Sequence, residues 1–310
     1  MTLFYDLKFK RNLIIIYNLV LKMEMNVSTV EEQVVARKKG GINPIFILPI
    51  LYAIGASIYV FILGNPNNFK AIEGIKGVVS VLFSDVKSKD LHPENTMGII
   101  YMGGPIVHVL ITFMLTVVVF SFERFFVLGK AAGTGNLESF VQNVRELLNK
   151  NKIDEAIEAC DTQKGSVGNV VKEGLVSYKA LSKDTTLNKE QKMAALTKSL
   201  EEATTLEMPM LEKNMMILST LGTVATLVAL LGTVMGMISA FQALGNGGGT
   251  PDSAALSVGI SEALINTALG IGTSAIAIIL YNFFTSKIDG LTYKIDEIGM
   301  SIQQSFAEFN

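Results

Sequence analysis

Four hydroxyl side chains, Ser219, Thr223, Thr226 and Thr233, follow one another at separations of 4, 3 and 7 residues. That period puts them on one face of a helix. Beside them runs a second series, Gly222, Ala225, Ala229, Gly232, Gly236 and Ala240, at steps of 3 and 4. Residues this small let two helices approach closely. Further on, Ala263, Thr267, Gly270, Ser274, Ala277 and Tyr281 repeat the theme at steps of 4, 3, 4, 3 and 4, with Asn266 and Thr273 on a neighbouring face and Glu262 just before. Hydroxyls and an amide can exchange hydrogen bonds with a hydrated proton or with another chain's acid, so these faces could line a water or ion path. They could equally pack helices, with Ser and Thr bonding back to their own helix carbonyls.

The two stripes lie in stretches apolar enough to cross a membrane. Thr233 is 11 residues before Leu244 and Thr267 is 13 after Ala254. In an antiparallel pair they therefore share a depth of roughly 16 to 20 Å below the connecting turn. Glu262 lies five residues, about 7.5 Å, nearer the outside than Thr267. Neither stretch has a carboxylate at mid-depth, and a proton relay through hydrocarbon needs an ionisable carrier. A conducting role thus requires a second polypeptide to bring the acid. Thr233, Thr267 and Glu262 are the primary candidates for such a path, and Thr226, Thr223, Asn266 and Ser274 the secondary ones. Gly222, Ala225, Ala229, Gly232, Gly236 and Gly270 are the packing residues, and the first five of them are expected to join copies of the chain.

Composition agrees with a membrane setting. Of 310 residues 49% are hydrophobic and only 17% charged, with mean hydropathy +0.42. Residues 129–214 hold 25 of the 54 charged side chains, which marks one polar domain in an otherwise apolar chain. A net charge of -2 leaves no basic face for nucleic acid, and one cysteine, Cys160, makes no internal disulfide. One Cys and two His supply neither a metal-ligand cluster nor a nucleophile with its base, so neither catalysis nor a metal or other cofactor is expected.

The expected fold is an all-α membrane protein with four transmembrane helices. Its parts are a cytoplasmic tail (1–43), a first span (44–63), an external excursion (64–97) and a second span (98–128, apolar over 98–122). A helical cytoplasmic domain (129–214), a third span (215–244), an external turn (245–253), a fourth span (254–286) and a cytoplasmic C-terminal helix (287–310) follow. Arg37, Lys38 and Lys39 precede the first span, Arg124 and Lys130 follow the second, and Lys287 follows the fourth. Such flanks stay cytoplasmic, which puts both termini inside. The apolar run 13–21 is about half a span long and reads as an interfacial or unstructured tail, with Met23 and Met25 as alternative starts.

Within the polar domain Leu137, Phe140, Val141, Val144, Leu147 and Leu148 share a helix face. A second helix is read near Asp154 to Cys160, and a third from Val170 to Leu181, after the punctuation of Gly165 and Gly168. His108, ten residues inside the second span, is read as a neutral packed imidazole with one hydrogen bond. GNGGGT at 245–250 lacks the lysine of a phosphate loop and is read as a turn. Glu123 and Arg124 are either part of a water exit or an interfacial anchor.

The run LEKNMMILSTLGTVATLVALLGTVMGMISAF followed by GISEALINTALGIGTSAIAIILYNFF resembles the ExbB, TolQ and MotA superfamily of proton-channel proteins, ExbB and TolQ most nearly. The motifs are Leu231-Gly232-Thr233-Val234, Ile260-Ser261-Glu262-Ala263-Leu264, Thr267-Ala268-Leu269-Gly270 and Tyr281-Asn282. The resemblance implies a homo-oligomer, a pentamer, of three-span subunits in the inner membrane of a Gram-negative bacterium. Its lipid-embedded pore would hold an ExbD- or TolR-like single-span partner bearing an aspartate, and a TonB-like protein is a further implied partner. Thr233 and Thr267 fall at the family's pore threonines, and Glu262 at its outer acid. Thr226 and Ile276 stand where the family often has proline, and the span 44–63 is additional to its pattern.

Overall fold

The computed structural model describes residues 43–69, 93–245 and 253–309. The N-terminal tail, most of the 64–97 excursion and most of the 245–253 turn lie outside the described residues. What is described is an all-α membrane protein, with four helices long and apolar enough to span a bilayer: Pro44–Leu63, Ile106–Ala131, Met215–Gly245 and Ser253–Phe309.

The first span starts as α1, Pro44–Ser57, with Asn43 capping Ile45 N at 3.1 Å and Pro44 at its first turn, where a missing N–H costs nothing. It continues into a π-helical stretch, Ile58–Leu63. Asn68 closes that end, its Nδ2 donating to the carbonyls of Ile62 at 2.7 Å and Leu63 at 2.9 Å. The second span is not one helix from residue 98. A short α2, Thr96–Tyr101, is capped by Asn95, and α3, Ile106–Ala131, starts after a break at Gly103-Gly104-Pro105. Gly104 holds a φ of 76°, and the residue before a proline avoids helical geometry, so the chain must turn here. α3 also runs further than the apolar stretch, carrying Glu123 and Arg124 within it.

The polar domain consists of α4 (Leu137–Asn149), α5 (Ile153–Gln163), α6 (Gly165–Lys183) and α7 (Lys189–Glu212). Phe140, Val141, Val144 and Leu148 of α4 are buried, as their spacing requires. α6 begins at Gly165, ahead of the residue its apolar pattern suggested, because Gly165 takes a φ of 72° at the junction and Gly168 then lies inside the helix against the Cys160 carbonyl. α7 opens with a capping box, Asn188 accepting from Gln191 N at 2.8 Å and Gln191 Oε1 from Asn188 N at 3.1 Å. Cys160 is buried among these helices, which pushes its thiol up to about 12 and leaves it unreactive at neutral pH.

α8, Met215–Gly245, and α9, Ser253–Phe309, form the central hairpin, with α3 against both and α1 against α3. α9 is a single helix of 57 residues, so the fourth span and the C-terminal helix are one element. Its C-terminal half buries Phe284, Ile288, Leu291, Ile295, Ile298, Ile302 and Phe306 against the domain. Such a stripe, one residue every three or four, is why the helix does not stop at the membrane surface.

The glycine stripe corrects one expectation. Gly222, Ala225, Ala229, Gly232 and Gly236 do not await a second copy; they are covered by α9 of the same chain. A Cβ on Gly236 would lie 2.7 Å from the Gly259 carbonyl, one on Gly232 2.7 Å from Asn266 Cβ, and one on Gly270 2.8 Å from the Ala225 carbonyl. Periodicity identifies a close-packing face but not its occupant. Gly270→Leu is accordingly expected to lower stability in detergent by about 1–3 kcal/mol through overpacking. A thermal unfolding curve identical to that of the unaltered protein would show that the hairpin tolerates separation.

Candidate functional site

Thr233 on α8 and Thr267 on α9 meet, with their hydroxyl oxygens 2.5 Å apart. Each hydroxyl also lies 3.0 Å from a carbonyl one turn back, that of Ala229 and that of Ala263 respectively. Two hydroxyls carry two protons between them, so one donates across the pair while the other donates to its own helix. Each oxygen keeps acceptor capacity, and reversing the direction of the cross-bond needs only hydroxyl rotation. The pair is half-buried. Ser219, Thr223 and Thr226 on the same side of α8 are exposed, so the chain itself leaves its hydroxyl face uncovered.

Two secondary candidates are elsewhere. Asn266 is fully buried, and its Nδ2 donates to the Gly103 carbonyl at 2.9 Å. Ser274 is buried and donates to the Gly222 carbonyl. Both are therefore enclosed between helices of one subunit instead of standing on the open face. The period that groups Ser274 with Thr267 runs on to the packing side, Asn266 lies on the face beside it, and α9 is embraced by α3 as well as α8.

Glu262 is half-buried, with its carboxyl against the break before α3: a Cβ on Gly104 would stand 3.0 Å from Glu262 Cδ. Only a residue without Cβ admits the carboxyl there. Glu262 is also close enough for its charge to act on Tyr59. Sequence reading missed this surrounding. Tyr59 stacks on Tyr101 with centroids 4.8 Å apart and interplanar angle 19°, and its hydroxyl donates to the Tyr101 carbonyl at 3.3 Å. Tyr52 reaches His108 Nε2 at 3.1 Å, giving that imidazole its hydrogen bond. Three tyrosines in otherwise apolar spans were the available signal, since a buried phenol needs a partner.

Toward the C-terminal end of α3, Arg124 is fully buried and grips Glu123 through two bonds of 2.6 Å. Its Nη1 donates to the last-turn carbonyl of Leu211 on α7 at 3.2 Å, and Asn214 donates to Glu123 at 3.3 Å. The pair is a buried fastening between span and domain, with Asn214 in left-handed geometry at φ 62° where α7 gives way to α8. At the surface, hydrogen bonds to Glu138 and then Glu297 hold the Lys294 ammonium above its usual range, and Lys294 draws Glu297 below the usual carboxylate range. Among the described residues no three His, Cys, Asp or Glu side chains converge as metal ligands.

Residues 166–297 match the model of the MotA/TolQ/ExbB proton channel family. A biopolymer transport protein ExbB of Xanthomonas campestris is 35% identical over 111 residues, 36% of this chain and 43% of that protein. A putative biopolymer transport protein ExbB homolog of Methanothermobacter thermautotrophicus is 36% identical over 100 residues, 32% of this chain and 35% of its own length. The Tol-Pal system protein TolQ of Pseudomonas aeruginosa is 29% identical over 128 residues, 40% of this chain and 54% of its own. The chain thus spans about half the length, or less, of these relatives.

Proposed function

We propose, from the match of residues 166–297 to the MotA/TolQ/ExbB proton channel family, that this chain is a member and a non-enzymatic, proton-conducting subunit of an inner-membrane motor. In this reading several copies surround a pore. Their α8 and α9 helices present Thr233 and Thr267 to the single transmembrane helix of an ExbD- or TolR-like partner. The partner's aspartate takes a proton on the outer side, where Glu262 gathers protons, and gives it up inward through the threonine level. The work so obtained would energise a periplasm-spanning protein, in the manner of a TonB-type outer-membrane transport system. Basic flanks favour cytoplasmic termini.

The observation that carries this reading is the Thr233–Thr267 contact at 2.5 Å, half-buried beside an uncovered hydroxyl face. Both hydroxyls also reach carbonyls of their own helices, yet the pair stays half-buried and each oxygen keeps acceptor capacity. That suits a carboxylic acid arriving from another chain, which donates when protonated and accepts when ionised. The test is to isolate the chain from its native membrane by an affinity tag, identify its companions, and reconstitute the complex in liposomes with a pH-sensitive dye inside. A single-span companion bearing a transmembrane aspartate, with proton entry that needs that aspartate, is the expected result. A tight barrier to protons in the presence of such a companion would leave a scaffold.

A further inference from the structure

Glu262 and Asn266 are one helical turn apart on α9 and converge on the same two residues of the neighbouring segment. Glu262 lays its carboxyl on Gly104, and Asn266 donates to the carbonyl of Gly103. That donation fixes which end of the amide is which, because only the nitrogen can donate. The other end, Oδ1, is buried and accepts nothing from the described residues. A buried acceptor left without a donor is costly, so a donor is to be expected within reach. Helical side chains lean toward the N-terminus, which tilts Asn266 toward the turn that bears Glu262.

We propose that Asn266 is a positioning residue for Glu262: anchored through Nδ2 on Gly103, it offers Oδ1 to the O–H of the protonated Glu262 carboxyl. The amide takes no proton and stays neutral. It holds the acid in one orientation at the Gly103-Gly104 break, one turn outside the level of Thr267 and Thr233. The role rests on the proton-conducting reading above, and adds to it a residue inside the subunit that no partner touches. Other titratable groups facing this spot among the described residues are Tyr59 on the first span, Tyr101 on α2 and His108 on α3; α8 contributes none. Tyr59 has its hydroxyl engaged with the Tyr101 carbonyl, so it does not donate to Oδ1 while that bond holds.

A mutant cycle tests the pairing in the reconstituted native complex. Asn266→Leu keeps the volume and removes both bonds; Asn266→Ala serves if the leucine variant does not assemble. Either is expected to slow proton entry about three- to tenfold, the worth of one hydrogen bond. In a Glu262→Gln background the same change should slow it no further, because the group it positions is gone. Equal fold-losses in both backgrounds, or no loss in either, would overturn the proposal. An infrared readout separates it from the conducting reading: the carboxylic-acid C=O band that Glu262→Gln removes should shift in Asn266→Ala. If no variant, nor the unaltered complex, admits protons, a shifted band sustains the pairing and the conducting reading falls. An unmoved band overturns the pairing.

Discussion

Thr233→Val and Thr267→Val are each expected to cut proton-driven work by about one to two orders of magnitude while the complex stays assembled. Valine reproduces the shape of threonine and removes only the hydroxyl, so packing between α8 and α9 is kept while the contact at 2.5 Å is lost. With one hydroxyl gone, the other can only donate back to the carbonyl of Ala229 or Ala263, and the acid of the proposed partner would meet a single fixed dipole. Leaving a buried acid without its hydrogen bond costs about 1–3 kcal/mol, or roughly tenfold to a hundredfold in rate for each site. Thr→Ser at either position should preserve most of the output, and Glu262→Gln should reduce it less completely, since water can partly replace a gathering carboxylate at the outer end. The measurement is proton entry and partner-dependent work at equal expression. Unchanged output from both valine variants would return the stripes to packing surfaces.

Arg124→Met is expected to destabilise the protein by about 3–5 kcal/mol, the largest loss from any single side chain here. Arg124 is fully buried, and its removal strands the carboxylate of Glu123 while uncapping the Leu211 carbonyl at the end of α7. Replacing the pair together, Glu123→Leu with Arg124→Met, should recover much of the loss, because no uncompensated charge is left behind. Unfolding by denaturant in detergent decides the matter. A single variant within 1 kcal/mol of the unaltered protein would mean that water reaches Glu123 after all. The burial also answers the alternative of a water exit: a guanidinium with no exposed surface, bound on three sides, is a fastening.

Several of these features were readable from residue order alone, for reasons particular to each. Thr233 and Thr267 could be set at one depth because a helix rises uniformly and the turn between the two stripes is short. The α4 face followed from its 3.6-residue period. The break before α3 was signalled by Gly103-Gly104-Pro105, yet hydropathy read across it, since a window sums apolarity and is blind to φ. The small-residue stripe was recognised as a packing face and assigned to the wrong partner, because spacing carries no information about which helix fills it. Ser274 shares the period of Thr267 and Asn266 lies on the face beside it, yet α9 is gripped on two sides, and spacing does not tell a covered polar residue from an open one. The tyrosines around Glu262 depend on the packing of α1 against α3, a contact between separate spans that no local pattern encodes.

One element changes how the molecule must respond to load. α9 holds 57 residues without proline or a break, so it is a rod of about 85 Å. Rods do not absorb displacement. A tilt of one degree about the outer end moves the far end by roughly 1.5 Å, comparable to a hydrogen-bond length change that breaks a contact. Because Ile295, Ile298, Ile302 and Phe306 are locked into the helices of the polar domain, that displacement is imposed on the whole domain and not dissipated along α9. The polar bundle is in this sense a counterweight, whose stiffness sets how far Thr233 and Thr267 can lean.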